Sequence, residues 1–386
     1  MWRVPLFELN YDEAETNAVL GVINSRWLTM GDRVVEFESS FANYLGGGVS
    51  AVAVSNGTAA LHMSLLAADV RPGDEVLVPA LTFVADANVV SLVGAVPVFV
   101  DCVSLDDWNM DPRDAAAKVT AKTSAAIVVH YAGFPADIPA LRRAIDDAAA
   151  TKRPGKPAIC LVEDVAHAPG ATIGDRKCGT VGDIGCFSFF SNKNLSVGEG
   201  GMVVTANESL LQRSKLLRSH GMSSLTLDRH RGRATTYGVS MPGLNYRIDE
   251  IRAALGIEQL KKLDRGNARR AALVQRYRKN LTSAPHVSVP FASVDPKRST
   301  HHIMPVLLPV GVAREQVMAE MKEAGIQSSI HYPSFASFDA YRELASGKAP
   351  RAEEICAREL TLPLYPTMTD EHCDLVCDVL IRALHR

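Results

Sequence analysis

Short apolar runs alternate with helical patterns along the first 205 residues of the chain. Because short buried strands that alternate with helices are typical of parallel sheets, the pattern predicts an α/β protein with a mostly parallel sheet between helices. The predicted strands lie at residues 51–54, 75–78, 96–101, 125–130, 158–162, 186–190 and 200–204.

The pattern changes in the second half of the chain. A long amphipathic helical pattern covers residues 247–280, which is too long for one compact element and is interpreted as a connection between domains. A short strand and two helical patterns follow it, at residues 303–308, 313–324 and 370–384. A chain of 386 residues is long for one core. We therefore expect a large domain over residues 1–250 and a smaller one over residues 251–386.

One lysine lies between two of the predicted strands. The strands at 186–190 and 200–204 flank a polar turn that contains Lys193. Burial disfavours a charged ammonium, so the pKa of Lys193 should fall toward neutrality unless an anion lies nearby. A neutral amine can attack a carbonyl, which makes Lys193 a candidate Schiff-base nucleophile. The alternative is a lysine that caps a surface turn and extends into water.

Two predicted strands lead into aspartates that could serve as partners of a cationic ligand. The run at 158–162 leads into Asp164, and the run at 96–101 ends in Asp101. Ligands of open α/β sheets bind at the carboxyl ends of the strands, and a buried carboxylate there needs a cationic partner. The pyridinium nitrogen of pyridoxal phosphate is such a partner, and that cofactor is held as a lysine Schiff base. Asp164 and Asp101 compete for this role.

The segment after the first strand predicts an anion site. Residues 55–58 form a small polar turn, and a helix follows directly. Free backbone N–H groups and the positive end of the helix dipole therefore point at the same place. Gly57 lets the backbone approach a phosphate, and Thr58 can cap the helix and donate a hydroxyl. The alternative is a plain helix cap without a ligand. Neither dinucleotide nor P-loop glycine motifs occur, which disfavours those ligands.

Four motifs occur together and in a characteristic order. They are SNGTAAL at 55–61, EDVAH at 163–167, SF at 188–189 with Lys193 and GEGG at 198–201, and GLNYR at 243–247. In this set the chain resembles the DegT/DnrJ/EryC1/StrS family of pyridoxal-phosphate sugar aminotransferases. The resemblance implies fold type I of these transferases, with a mostly parallel seven-stranded sheet in the large domain and a smaller α+β C-terminal domain.

The resemblance also implies roles for individual residues around pyridoxal phosphate. It favours Asp164 over Asp101, which is expected to bond a strand end or a turn, and places His167 where it could support the cofactor's phenolic oxygen. Phe83 or a close neighbour is expected to stack on the pyridine ring, although phenylalanine is more often a core residue. Asn245 is expected to reach the cofactor phosphate of the neighbouring subunit in a two-fold dimer. The phosphate anchors are then Gly57, Thr58, Ser188 and Asn245.

Substrate contacts are expected at three places. Trp27 could line the mouth of a pocket or pack in an interhelical turn. The basic loop with Arg229, His230, Arg231 and Arg233 is either solvated or a contact for the diphosphate of a nucleotide sugar. The resemblance places His331 and Tyr332 near the mouth of the active site.

The expected reaction is a ping-pong transamination. Lys193 is lysine rather than the histidine found in a dehydrating subgroup of the family, which favours amino transfer. The resemblance implies a keto-sugar nucleotide as acceptor and glutamate as the usual donor. A keto-cyclitol acceptor with glutamine as donor, a non-catalytic cofactor-binding regulator, and elimination or decarboxylation are the alternatives.

Composition narrows the partners and the compartment. The net charge of −2 gives no electrostatic footprint for nucleic acid or an anionic membrane. The seven cysteines are scattered and odd in number, which is typical of reduced thiols, and Cys373 and Cys377 lack the further ligands of a zinc site. No signal peptide or membrane span is evident. We expect a cytoplasmic homodimer with shared active sites and no metal.

Overall fold

The computed structural model describes residues 2–223, 231–232, 235–284 and 287–385. Its strands are β1 (Ser50–Val54), β2 (Glu75–Pro79), β3 (Val96–Val100), β4 (Thr123–Val129), β5 (Cys160–Asp164), β6 (Thr172–Ile173), β7 (Arg176–Lys177), β8 (Ile184–Ser188), β9 (Gly201–Thr205), β10 (Met304–Leu307) and β11 (Glu359–Leu362). Its α-helices are α1 (Glu13–Ser25), α2 (Asp32–Leu45), α3 (Gly57–Ala67), α4 (Ala85–Leu92), α5 (Pro112–Lys118), α6 (Ile138–Lys152), α7 (Glu208–Arg218), α8 (Glu250–Asn280), α9 (Arg314–Glu323), α10 (Arg342–Ala345), α11 (Pro350–Arg358) and α12 (Asp370–Leu384).

A seven-stranded sheet forms the centre of the fold, as the sequence predicted. Its strand order is β1-β9-β8-β5-β4-β2-β3. Strand β9 runs antiparallel to both of its neighbours, β1 and β8, and the other pairs are parallel. The carboxyl ends of β1, β8, β5, β4 and β2 therefore lie at one edge of the sheet, where ligands of such sheets bind.

Helices cover both faces of this sheet because successive strand residues point to opposite sides. In β1, Val52 and Val54 pack with α3 in one cluster. Ala51 and Ala53 pack with α2 and the first part of α8 in another cluster. Helices α5 and α6 cover the remaining part of the second face, against residues such as Leu161. The apolar runs are continuous because both sides of each strand are buried.

Helix α8 connects the sheet to the C-terminal part of the chain. The sequence pattern was considered too long for one element, but α8 is a single helix of 31 residues. Its first turns, with Ala253 and Ile257, pack with the sheet cluster. Its last turns, with Leu273 and Tyr277, pack with β10, β11, α9 and α12 in a separate cluster. We keep the division of the chain at residue 250 as a proposal.

None of the helices in the described part of the chain is both long enough and apolar enough to cross a membrane.

Helix α2 is capped by a carboxylate from a distant part of the chain. Its own N-cap residue, Gly31, has no side chain to accept a bond. Glu250, at the start of α8 and only 5% exposed, accepts bonds from three backbone N–H groups instead. Its Oε1 accepts from Gly31 at 2.8 Å and Val34 at 3.0 Å, and its Oε2 accepts from Arg33 at 2.9 Å. The start of α2 is thereby fixed to the start of α8.

We predict that Glu250→Ala lowers the free energy of unfolding by about 3 kcal/mol, because it leaves buried N–H groups without an acceptor. Urea denaturation of the wild type and of Glu250→Ala measures the difference in the free energy of unfolding. Glu36→Ala is the matched control, since Glu36 lies on α2, the helix that Glu250 caps, in an exposed ion pair with Arg33. It should change the free energy of unfolding by less than about 0.5 kcal/mol. Equal effects of the two substitutions would contradict the capping role.

Candidate active site

A cavity of about 590 Å³ opens at the carboxyl ends of β4, β5 and β8. Its volume lies within the usual range for small-molecule sites. The last residues of these three strands, Val129, Asp164 and Ser188, all line it. The structure brings together nine of the predicted site residues around this cavity, namely Gly57, Thr58, Phe83, Asp164, His167, Ser188, Lys193, His331 and Tyr332.

Lys193 and Asp164 face the same cavity. Lys193 lies in the turn between β8 and β9, where its backbone N–H donates to the carbonyl of Phe190 at 2.9 Å. Burial lowers the pKa of Lys193 to about 8, although the negative charge of Asp164 opposes the shift. A sizeable fraction of the amine is therefore neutral near physiological pH. This geometry agrees with a nucleophile and not with a lysine that extends into water.

A second buried carboxyl, Asp86, lies close enough to Asp164 for the two charges to interact. Asp86 is 1% exposed, and its Oδ2 accepts the hydroxyl of Thr82 at 2.5 Å. Burial and the charge of Asp164 raise the pKa of Asp86 well above its ordinary value. The Asp164 carboxylate accepts the N–H of Ala166 at 2.8 Å and has the charge of Lys193 nearby. Burial raises the pKa of Asp164 too, whereas the Ala166 N–H and the charge of Lys193 lower it. Since two like charges disfavour each other in a buried site, the pair favours a single proton, and the charge of Lys193 favours the ionised form at Asp164 and the proton at Asp86.

Sequence reasoning missed Asp86, and one signal could have found it. A carboxylate lies within the mostly apolar helical run at 84–90, and an acidic residue in such a position is rarely buried without a reason.

Glu163, the residue before Asp164 on β5, fixes the end of this strand from the opposite face of the sheet. Glu163 is fully buried, and its oxygens accept N–H bonds from Gly179, Val181 and Gly182 at 2.9, 2.8 and 2.6 Å. Its Oε2 also lies 2.9 Å from Nε2 of His130. Because these bonds use both carboxylate oxygens, we assign Glu163 to positioning of the turn that precedes β8.

The start of α3 forms the predicted cradle, with one correction. The capping residue is Asn56, whose Oδ1 accepts the N–H of Ala59 at 2.7 Å, and not Thr58, which is exposed at the second helical position. A Cβ atom at Gly57 would lie 2.8 Å from Cβ of Ser188, and one at Gly201 would lie 2.5 Å from the carbonyl oxygen of Asn56. Glycine at both positions lets α3 cross β9 and reach the end of β8.

An aromatic and imidazole wall borders the cavity. The Nδ1 atom of His167 accepts the N–H of Ala132 at 3.3 Å, so its Nε2 carries the ring proton and donates to the hydroxyl of Tyr332 at 2.9 Å. Burial lowers the pKa of His167 well below its ordinary value, which agrees with a neutral ring. The ring of Phe83 lies 5.6 Å from that of Tyr332, centroid to centroid. His167 and Tyr332 therefore act as a hydrogen-bonded unit.

Two predicted residues lie outside this cavity. Trp27 lies in the turn between α1 and α2, where its indole packs so closely over Gly31 that a Cβ there would be 2.6 Å from Nε1. Asn245 is exposed and pairs with Ser219 in an isolated bridge, while its neighbour Tyr246 lines the cavity. The substrate role of Trp27 and the cofactor role of Asn245 stay predictions.

The basic loop and the competing aspartate have other surroundings. Arg229, His230 and Arg233 lie outside the described residues, and Arg231 forms a surface ion pair with Asp32 at 2.6 Å. Asp101 accepts from Nε of Arg351 at 2.9 Å and from the N–H of Ala352 at 2.8 Å. It thus fixes the start of α11 and takes no part in the cavity.

The residues present fit pyridoxal phosphate. The Gly57 and Ser188 cradle offers backbone N–H groups and a hydroxyl to a phosphate. Lys193 offers a partly neutral amine, and Asp164 offers a buried carboxylate in need of a cationic partner. All three face one cavity.

Solved structures of sugar aminotransferases superpose on nearly the whole chain. The putative sugar aminotransferase Spr1654 from Streptococcus pneumoniae, in its PMP form, matches with a TM-score of 0.90 and 28% identity over 100% of this chain and 99% of that chain. The sugar aminotransferase CalS13 from Micromonospora echinospora matches with a TM-score of 0.87 and 28% identity over 98% and 99%. Fold and site define a pyridoxal-phosphate-dependent aminotransferase.

A model of the DegT/DnrJ/EryC1/StrS aminotransferase family matches residues 10–381, and the chain belongs to this family. The uncharacterized protein MJ1066 of Methanocaldococcus jannaschii is 33% identical over 375 residues, which are 95% of this chain and 94% of that protein. The predictions of fold type, family, enzyme class and cofactor are confirmed.

We predict that Asp164→Asn lowers the pKa of Lys193 by about one unit or more, because the carboxylate is the charge that favours the ammonium form. The pH dependence of trinitrophenylation of Lys193 in cofactor-free protein, followed by peptide mass spectrometry, measures the midpoint. Asp106→Asn, at an exposed aspartate outside the cavity, is the control and should leave the midpoint unchanged. An unshifted midpoint in Asp164→Asn would refute the electrostatic pairing.

Proposed function

We propose that the protein transfers an amino group from glutamate or glutamine to the keto group of a sugar nucleotide in a ping-pong reaction. The observation that carries this proposal is the partly neutral Lys193 beside the buried Asp164 in one cavity. A protein that only binds the cofactor has no need of such a lysine.

Lys193 and Asp164 have complementary tasks in this proposal. Pyridoxal phosphate, when bound, supplies an electron sink for negative charge at the carbon that carries the amino group. The Asp164 carboxylate holds the proton of the ring nitrogen, and protonated Asp86 leaves that carboxylate ionised. Lys193, with a pKa of about 8, can both take a proton from the donor at Nζ and return it near neutral pH.

Other residues orient the cofactor and the substrates. The backbone at Gly57 and the hydroxyls of Thr58 and Ser188 hold the phosphate. Phe83 and the His167 and Tyr332 unit border the ring position and keep water from it.

A sugar suits the remaining part of the cavity. Phe190 is 41% exposed and lines it, and such a ring can pack on the apolar face of a sugar. The side chains of Asn192 and Glu199 offer hydrogen bonds to hydroxyl groups. The sugar aminotransferase names of Spr1654 and CalS13 support this acceptor class. A diphosphate contact by Arg229 remains part of the proposal.

We also propose a two-fold homodimer in which Asn245 completes the phosphate site of the neighbouring subunit. Asn245 is exposed beside a residue that lines the cavity, so it is available to a second copy. Isologous dimers place each such residue near the partner's site in a reciprocal manner.

We predict that the protein incubated with pyridoxal phosphate shows the visible absorbance of the lysine-bound cofactor, and that Lys193→Ala does not. Glutamate or glutamine should bleach this band, and a keto-sugar nucleotide should restore it. Absorbance spectra recorded after each addition measure both half-reactions. Lys215→Ala, an exposed lysine on α7, is the control and should behave as the wild type.

Other outcomes of this experiment separate the alternatives. Recovery of the band with a keto-cyclitol alone would replace the sugar acceptor. A band that no amino donor bleaches would reject transamination and favour a cofactor-binding regulator.

We predict that Lys193→Ala and Asn245→Asp, each inactive alone, recover activity when the two chains are mixed in one dimer. Random pairing leaves about a quarter of all sites intact, because one of the two sites in a mixed dimer has both native residues. Aminotransferase activity of the coexpressed variants measures the recovery. Coexpression of Lys193→Ala with Asp164→Asn is the control, since both residues belong to the same subunit's site, and should recover nothing. No recovery in the first pair would reject a shared site.

A further inference from the structure

A buried glutamate on β11 has no place in the mechanism so far. Glu359 is fully buried, in a strand where an apolar residue would be expected. Its Oε2 accepts the backbone N–H of His331 at 2.8 Å. Its Oε1 accepts the hydroxyl of Thr361, which lies two residues along the same strand and therefore on the same side.

The hydrogen bonds continue from Thr361 to the cavity. The Oγ1 atom of Thr361 lies 2.9 Å from Nδ1 of His331, and His331 lines the cavity beside Tyr332. Its Nε2 forms no hydrogen bond to the residues that the structure describes. The hydroxyl of Tyr131 donates to the backbone carbonyl of His331 and helps to hold it. Glu359, Thr361 and His331 form one chain of hydrogen bonds that ends at the cavity.

The direction of these bonds fixes the state of the imidazole. While Glu359 is ionised, the single hydroxyl proton of Thr361 points to its carboxylate, so Oγ1 accepts the proton of His331 Nδ1. The Nε2 atom of His331 then carries a bare lone pair. This is the opposite of His167, whose Nε2 carries the proton and donates to Tyr332. The cavity thus holds one imidazole that donates and one that accepts.

We propose that, while Glu359 is ionised, His331 accepts a proton from the ammonium group of the amino donor and that this proton is stored on Glu359. The ammonium N–H bond breaks and an Nε2–H bond forms, the Nδ1 proton moves to Oγ1 of Thr361, and the Thr361 proton moves to Oε1 of Glu359. One proton leaves the donor and one arrives at the carboxylate, and the donor becomes the neutral amine that attack requires. Only the identity of the proton's source rests on the proposed function.

The electrostatic surroundings of His331 and Glu359 favour transfer of the proton from His331 to Glu359. Burial and the nearby charge of Lys193 lower the pKa of His331 to about 4, so a lasting imidazolium is disfavoured at neutral pH. Burial raises the pKa of Glu359 to about 8, although the Thr361 hydroxyl, the N–H of His331 and the charge of Arg314 favour its charged form. The other titratable groups that face Glu359 are Tyr131, Tyr332 and Cys356. Glu359 is therefore the better place for the proton.

The test follows the ring nitrogens of His331 in cofactor-free protein labelled with 15N-histidine, with His331→Gln to assign the signals. In the wild type we expect protonated Nδ1 and bare Nε2 above about pH 8, and the reverse below it, over a range from about pH 6 to about pH 10. Thr361→Val, which keeps the shape and removes the hydroxyl, should abolish this change. Thr361→Ser keeps the hydroxyl and should retain it.

Two results overturn the relay. One is a His331 signal in the wild type that does not change near pH 8 or that titrates to imidazolium. The other is a Thr361→Val signal that changes as the wild type does. Since neither measurement needs a substrate, both are independent of the proposed transamination.

Single-turnover reaction of the loaded enzyme with the amino donor tests the source of the proton. We expect Thr361→Val to slow this half-reaction roughly 100-fold above about pH 8, where Glu359 is ionised, and Thr361→Ser to change it little. An unaffected rate in Thr361→Val would overturn the donor as the proton's source. A wild type that reacts with no amino donor would instead reject the proposed function and leave the spectroscopic result to decide the relay.

Discussion

The site depends on the burial of an amine beside a carboxylate at the edge of a parallel sheet. Desolvation favours the neutral amine of Lys193, and a fully exposed lysine would remain charged. The Asp164 carboxylate compensates part of the desolvation, and the result is a pKa of about 8. The strand end, the turn before β8 and the helix α3 all serve to keep these two groups in one cavity.

Several buried acids and bases around this pair differ in their protonation states. Burial raises the pKa of both Asp86 and Asp164, and the charge of Lys193 favours the ionised form at Asp164. His167 carries its ring proton on Nε2 and donates, whereas His331 has a bare Nε2 and accepts while Glu359 is ionised. Each assignment comes from the neighbouring hydrogen bonds, since burial removes water as an alternative partner. A site that moves protons in both directions needs groups that are already in different protonation states.

The sequence allowed the sheet, the lysine turn, the cradle and Asp164 to be predicted, because each depends on a local pattern of strand, turn and helix start. The N-cap was assigned to Thr58 and not to Asn56, since both residue types cap helices and only geometry decides. The pattern at 247–280 was interpreted as too long for one compact element because of its length alone, whereas α8 is a single helix whose two ends pack in different clusters. Glu359 and Thr361 gave no signal, since their partner His331 lies about 30 residues away along the chain.

The antiparallel strand β9 affects the spacing between the cradle and Asp164. It separates the strand that leads to the cradle from the strand that leads to Lys193, and Gly201 lets α3 step across it toward Ser188. In the strand order, β1 lies three positions from β5, which carries Asp164, and β8, which carries Ser188, lies next to β5. The sheet thereby selects its ligand by length. The phosphate and the cationic ring nitrogen of one molecule must be far enough apart to contact the cradle and Asp164 together, and a shorter molecule would contact only one of them.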